Sequence, residues 1–220
     1  MINEVLFITI VILDFIYIIF STRFGRESVI IAIIINILLV STFGGKLITL
    51  FGYETNAGNT FYALVFFGMN ILIAYYGKNI AYKTIWLGLS ALIFYVIMGQ
   101  FVIRLQSVPG TFLLSKAMET VFLNVPRIAF ASMIAYLFAQ HINFYVFSLL
   151  YEGKKPLWIS NMISVFFSQS VDSVIFFSLA FLGTIAFPLF LQTLLVGFLL
   201  KLCIGLLSSP FFSIAQTIIE

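Results

Sequence analysis

Ser164, Ser168 and Asp172 stand four positions apart within one apolar stretch, and Gln169 stands three before Asp172. On a helix that spacing puts them on a single face, and Phe176 continues the stripe one turn on. A carboxylate, an amide and two hydroxyls in a row can hold a small polar solute, and hydrogen bonds to the carboxylate are the stronger, charge-assisted kind. The same strip can also act as glue between helices. Glue accounts for the serines. It accounts poorly for an aspartate, which costs at least ~2.5–3.5 kcal/mol at membrane depth unless it is paired or wet.

Other residues join this set. Lys201 falls in a later apolar run, about 24 Å down a helix that rises 1.5 Å per residue, where pairing with Asp172 would neutralise both. Ser132, Tyr136, Gln140 and Asn143 fall within a stripe of about 80° on another helix. Asn70 is a further amide at depth. Arg127 begins the helix of Gln140 but lies off its polar stripe. It and Lys46 are open to two readings, a pocket role or snorkelling of a long cation to the interface. Asp14 faces no obvious partner, and His141, alone of its kind, reads as structural. Of the 27 phenylalanines, most must face lipid or pack, and a few can stack on a flat ring.

Helices in lipid must position these groups. The chain is 62% hydrophobic and 9% charged, with a mean hydropathy of +1.17. A soluble domain carries about a quarter charged residues. The apolar runs are continuous rather than alternating, which argues against a transmembrane barrel. The expected fold is all-α, a polytopic bundle of seven spans forming a single membrane domain over residues 1–220. The spans are Glu4–Phe20, Ser28–Phe51, Thr60–Gly77, Ile80–Arg104, Arg127–Leu150, Trp158–Gly183 and Ile185–Ser208. Between the fourth and fifth, Gln106–Val125 carries Pro109, Gly110, Lys116 and Glu119, and reads as a long loop with an interfacial amphipathic helix or as a re-entrant segment. The first span has Glu4 in place of a basic start and no Ala-x-Ala site, so it is expected to remain as a helix.

Arg23, Arg26, Lys78, Lys154 and Lys155 fall in odd-numbered loops, and Lys83 lies at the border of the third. Lys and Arg excess marks the cytoplasmic side, which predicts an outside N-terminus and a cytoplasmic C-terminus. No longer basic run exists, so nucleic acid is not an expected partner. Cys203 cannot form an internal disulfide and reads as a packed small hydrophobe. Neither metal nor cofactor is expected. No Walker motif is present, and an intramembrane enzyme would need paired carboxylates, a Ser/His pair or metal ligands that this spacing does not supply.

Three segments carry a resemblance to a known family. They are Asn36 to Lys46 with Gly52, then Tyr62 to Gly88 with Tyr76-Gly77-Lys78, and then Arg127 to Ser132 through Gln140 to Phe147, Ser168-Gln169, Asp172-Ser173, Lys201 and Ser209-Pro210. On these residues the chain resembles the queuosine precursor transporters, also called the putative vitamin uptake family. The resemblance implies inner-membrane uptake of a nucleobase-like solute: 7-cyano- or 7-aminomethyl-7-deazaguanine, or queuine. It implies a six-helix core over 28–210 akin to the substrate-binding components of energy-coupling-factor transporters, with residues 1–22 as an added span. Asn70 and Ala74 stand where members usually carry acids, which leaves this pocket less acidic.

A deazaguanine offers a ring N–H and an exocyclic amine side by side. A carboxylate accepts both, so Asp172 is the expected acceptor, with Ser168, Gln169, Gln140, Asn143, Asn70, Arg127, Lys46 and Lys201 around it. The lipid bilayer and the solute are the expected partners, with an external energising module or a homo-oligomer left open. Uptake of another vitamin-like molecule through an ATPase-driven complex, and a non-transporting membrane scaffold, are the alternatives.

Overall fold

A computed structural model describes residues 2–108, 110–123, 125–208 and 210–219. Pro109 and Ser209, named above, lie outside the described residues. The helices are α1 (Ile2–Thr22), α2 (Arg26–Phe43), α3 (Asn59–Ile71), α4 (Lys78–Val102), α5 (Phe112–Leu123), α6 (Val125–Glu152), α7 (Leu157–Phe181), α8 (Phe187–Leu207) and α9 (Phe211–Ile219). A π-helical turn, Leu72–Tyr76, extends α3. Seven helical segments are long and apolar enough to cross a bilayer, one of them taking in α5 and α6 together. The polytopic all-α bundle is thus observed.

The second span ends earlier than its hydropathy suggests. Helix α2 stops at Phe43, where Gly44 and Gly45 follow in succession. The apolar residues beyond form strand β1 (Leu47–Leu50), paired antiparallel with β2 (Tyr53–Asn56). Phe51 and Gly52 join them with φ of 51° and 83°. Two positive φ values make the turn whose twist suits a hairpin, and Gly52 adopts it without a side-chain penalty. Hydropathy reports burial in lipid or protein and does not separate a short apolar strand from a helix end. Lys46 therefore sits in the approach to the hairpin rather than in a helix.

Helix α3 is the axis of the bundle. Every residue from Asn59 to Ile71 except Phe61 is buried. It contacts α1, α2, α4, α6, α7 and α8. Helix α1 is tied to the rest by its buried row Phe7, Val11, Phe15 and Ile18, at helical spacing. Phe15 meets Phe67 edge-on at 5.4 Å and stacks on Phe211 of α9 at 4.4 Å. Asp14 of α1 accepts a hydrogen bond from Asn36 Nδ2 at 2.9 Å, which supplies the partner its sequence context did not reveal.

The bundle has two distinct ends. At one, the hairpin is pinned to the start of α1: Asn3 donates to the Thr49 carbonyl at 3.1 Å, and Glu4 accepts from the Phe51 N–H at 3.0 Å. At the other, Lys78 pairs with Glu152, joining the start of α4 to the end of α6. The loops at this second end carry Arg23, Lys154 and Lys155. The stretch 106–125 holds α5, anchored to α4 where Gln100 Nε2 donates to the Phe122 carbonyl at 2.8 Å.

Candidate functional site

The site forms where α7 and α8 press together beside α3. Gly197, Lys201 and Gly205 repeat every fourth residue along α8. A Cβ on Gly197 would sit 2.6 Å from Phe177 Cζ, and one on Gly205 would collide with Val165 Cγ1. The bare glycine surfaces let α7 seat closely against α8 and turn Lys201 inward. Lys201 is 3% exposed, and Asp172 opposite is 1% exposed.

Lys201 Nζ donates to Asp172 Oδ2 at 2.6 Å. The Tyr62 hydroxyl on α3 donates to Oδ1 at 2.5 Å. The ammonium also lies over three ring faces, 4.6 Å from the Tyr62 centroid, 5.5 Å from Phe176 and 5.7 Å from Phe177. Such contacts attract a cation through the quadrupole of the ring. A buried ion pair survives only when its geometry is good and further bonds satisfy its atoms, and the Tyr62 bond contributes to that.

Beside the pair lies a narrow, partly open cavity. Asp172, Lys201, Tyr62 and Phe176 line it together with Ser132 of α6. Gly44, Asn56, Gly58 and Asn59, from the segment around the hairpin, also line it. The cavity therefore belongs to the hairpin end of the bundle. Asn56 and Asn59 are held in place locally: Asn56 Oδ1 accepts from the Asn59 N–H at 3.0 Å, and Asn59 Nδ2 donates to Thr55 Oγ1 at 3.0 Å.

Deeper in the bundle are Gln140 and Gln169, both 0% exposed. Neither amide has a hydrogen-bond partner among the described residues. Gln140 lies twelve residues before the end of α6 at Glu152, and Gln169 twelve after the start of α7 at Leu157 (152 − 140 and 169 − 157). In an antiparallel pair joined by a short turn, they occupy the same level. Below them an amide chain crosses the bundle. Asn143 Nδ2 donates to Asn70 Oδ1 at 2.7 Å, and Asn70 Nδ2 donates to Asn161 Oδ1 at 2.9 Å. Asn161 Nδ2 donates in turn to Ser208 Oγ at 2.8 Å and to the Gly205 carbonyl at 3.2 Å.

Of the residues singled out from sequence, the structure brings Asp172 and Lys201 together at the cavity. Gln140 and Gln169 stand at the next level, and Asn143 and Asn70 in the amide chain. Ser168 is buried and donates to its own helix, to the Val165 carbonyl at 3.2 Å. Two others lie elsewhere. Arg127 is exposed and caps the end of α7, with Nε donating to the Leu179 carbonyl at 3.0 Å and Nη2 to that of Leu182 at 3.1 Å. Carbonyls at a helix C-terminus lack helical partners, and a guanidinium fork satisfies two of them. Lys46 lines a separate groove with Phe7 of α1 and Phe61 of α3. His141 bonds the Leu137 carbonyl at 2.7 Å, with the Tyr82 ring edge-on. Among the described residues, no group of three His, Cys, Asp or Glu side chains is placed to hold a metal.

Tyr62, Asn161, and Asn56 and Asn59 beside the hairpin, are site residues that sequence reasoning missed. Asn161 carries a usable signal: it sits one turn before Ser164 on the polar stripe of α7. Tyr62 carries none, because one tyrosine among ten in an aromatic-rich chain has no distinguishing spacing.

The profile of the putative vitamin uptake transporter family matches residues 56–215. A protein of Bacillus subtilis (strain 168), described as "Probable queuosine precursor transporter", is 30% identical over 224 residues. That alignment takes in 100% of this chain, α1 included, and 97% of the relative. No solved structure matches the chain.

Proposed function

The chain belongs to the putative vitamin uptake transporter family, and from that premise we propose that it imports queuosine precursors: 7-cyano- or 7-aminomethyl-7-deazaguanine, or queuine. The substrate class comes from the similarity to the B. subtilis relative. The observation that carries it to particular residues is the buried carboxylate of Asp172 on the wall of a cavity at one end of a membrane bundle.

A deazaguanine presents its ring N–H and 2-amine in parallel, and Asp172 accepts both. Its two oxygens already accept from Tyr62 and Lys201, but each keeps a second lone pair. The Phe176 ring lines the same cavity and offers a face for the base. The unpaired amides of Gln140 and Gln169 stand at the next level and give the solute polar partners further along its route. A buried amide left unbonded costs about 1–3 kcal/mol per group, so a ligand or water that bonds it is favoured there. The chain from Asn143 to Ser208 closes the far end.

The hairpin end faces outside in this reading. Arg23, Arg26, Lys78, Lys83, Lys154 and Lys155 gather at the opposite end, and lysine and arginine excess marks the cytoplasmic face. The N-terminus is then outside, the last long helix ends on the cytoplasmic side, and the cavity loads from outside. The ion pair makes the site electrically neutral, which suits the uncharged ring edge that the three bases share.

Uptake of labelled 7-deazaguanines into cells unable to synthesise them tests the assignment. Cells carrying this chain accumulate label, and cells carrying Asp172→Asn, inserted at equal level, do not. Equal uptake by the two would remove Asp172 from the site. No uptake by the inserted wild type would remove the substrate class and favour a scaffold.

A further inference from the structure

Lys201 has donors to spare. Its ammonium carries three N–H bonds. One goes to Asp172 Oδ2, and no other acceptor bonds it among the described residues. The rings of Tyr62, Phe176 and Phe177 flank it and attract its charge, but an aromatic face is a weaker partner for an N–H than an oxygen lone pair. Yet Lys201 is 3% exposed and lines the cavity. Unspent donors on a buried cation beside a cavity call for an acceptor on whatever enters.

Resting on the nucleobase reading above, we propose that Lys201 reads the ring carbonyl of the base and so decides which bases the transporter accepts. The edge of a deazaguanine carries three groups in order: carbonyl oxygen, ring N–H, exocyclic amine. Acceptor therefore stands directly beside donor. The protein offers the complement in the same order and at hydrogen-bond spacing, an ammonium 2.6 Å from a carboxylate oxygen. Lys201 donates to the carbonyl while Asp172 accepts from the two N–H groups. Gln140 and Gln169 do not line this cavity, and of the donors that do, Lys201 is the cation bonded to Asp172 and so stands where the carbonyl falls when the carboxylate takes the two N–H groups.

The pairing explains rejection as well as acceptance. A base with an amine in place of the carbonyl would aim N–H bonds at the ammonium. A base with a second carbonyl in place of the amine would aim an oxygen at Asp172. Sites built to bond a polar group discriminate strongly against analogues that leave their buried groups unpaired.

The test uses the full chain purified in lipid nanodiscs and two probes, 7-cyano-7-deazaguanine and its 6-thio analogue. Sulfur for oxygen weakens the acceptor and leaves the ring N–H and amine in place. Wild type is expected to bind the oxo base roughly 10–100-fold more tightly, the range for a bond to a charged donor. In Lys201→Met, and in Asp172→Asn/Lys201→Met, where no buried charge is left alone, that ratio falls to about threefold or less. In Asp172→Asn, which keeps the lysine, both affinities drop and the ratio persists. A wild-type ratio below about threefold, or an undiminished ratio in either lysine variant, overturns the role of Lys201 and leaves the substrate class standing. Binding of neither base by wild type removes the substrate class and this inference together.

Discussion

Asn161 on α7 accepts a hydrogen bond from Asn70 on α3 at 2.9 Å and donates one to Ser208, just past the end of α8, at 2.8 Å. One amide thus ties three helices at the end of the bundle opposite the cavity. Its side chain is fully buried. Truncation leaves the Asn70 amide N–H and the Gly205 carbonyl without this partner. We expect Asn161→Ala to lower stability by about 1–3 kcal/mol, seen as an earlier thermal transition in detergent. An unchanged transition would mean that water replaces the amide and that this end is wet.

The Asp172–Lys201 pair predicts a pattern rather than a single loss. Removing one member strands a buried charge and costs about 3–5 kcal/mol, whereas replacing both is often neutral. Asp172→Asn and Lys201→Met should each melt early. The double variant should regain most of the melting temperature but not the uptake. Recovery of uptake with stability would reduce the pair to a structural tie.

Tyr62→Phe keeps the ring against Lys201 and removes only the hydroxyl that donates to Asp172. A hydrogen bond to a charged group contributes about 1.5–3 kcal/mol. The variant should fold, lose stability within that range and bind the base less tightly. Titration in nanodiscs reads the second effect, and wild-type affinity would show that the hydroxyl does not organise the carboxylate for binding.

Close seating of α7 on α8 depends on a missing side chain at position 197. In Gly197→Ala the new methyl meets Phe177 at 2.6 Å and Asn59 Nδ2 at 3.2 Å. Overpacking of this kind costs about 1–3 kcal/mol. Lower thermal stability and weaker base binding are expected, since Phe177 flanks Lys201 and Asn59 lines the cavity. Adding Phe177→Leu should restore stability. If it restores nothing, helix packing here is not limited by that contact.

The proposed orientation is open to a direct check. With Cys203 replaced by serine, a cysteine at Glu54 in the hairpin should react with a membrane-impermeant maleimide added to intact cells. One at Lys154 should react only after permeabilisation. The opposite pattern would invert the topology and place the cavity on the cytoplasmic side.

Much of this protein was legible in the chain itself. Composition dictated the class, because so few charges cannot cover a water-facing surface and unbroken apolar runs must satisfy their backbone bonds as helices. Spacing placed Ser164, Gln169 and Asp172 on one face of α7, since helical periodicity is local and needs no partner. It also placed Lys201 at a depth that suited Asp172. The rest depended on contacts far apart in the chain. Tyr62 reaches Asp172 across 110 positions, and Asn143 reaches Asn70 across 73. No local pattern encodes such meetings. Arg127 and Lys46 were ambiguous for the same reason, as a long cation at a helix end snorkels, caps or lines a pocket according to what packs beside it. Hydropathy also ran α2 on past Phe43, where paired strands, a non-local hydrogen-bonding choice, took over instead. Which helix faces which is settled by packing, and packing is what turned scattered polar residues into a lined cavity.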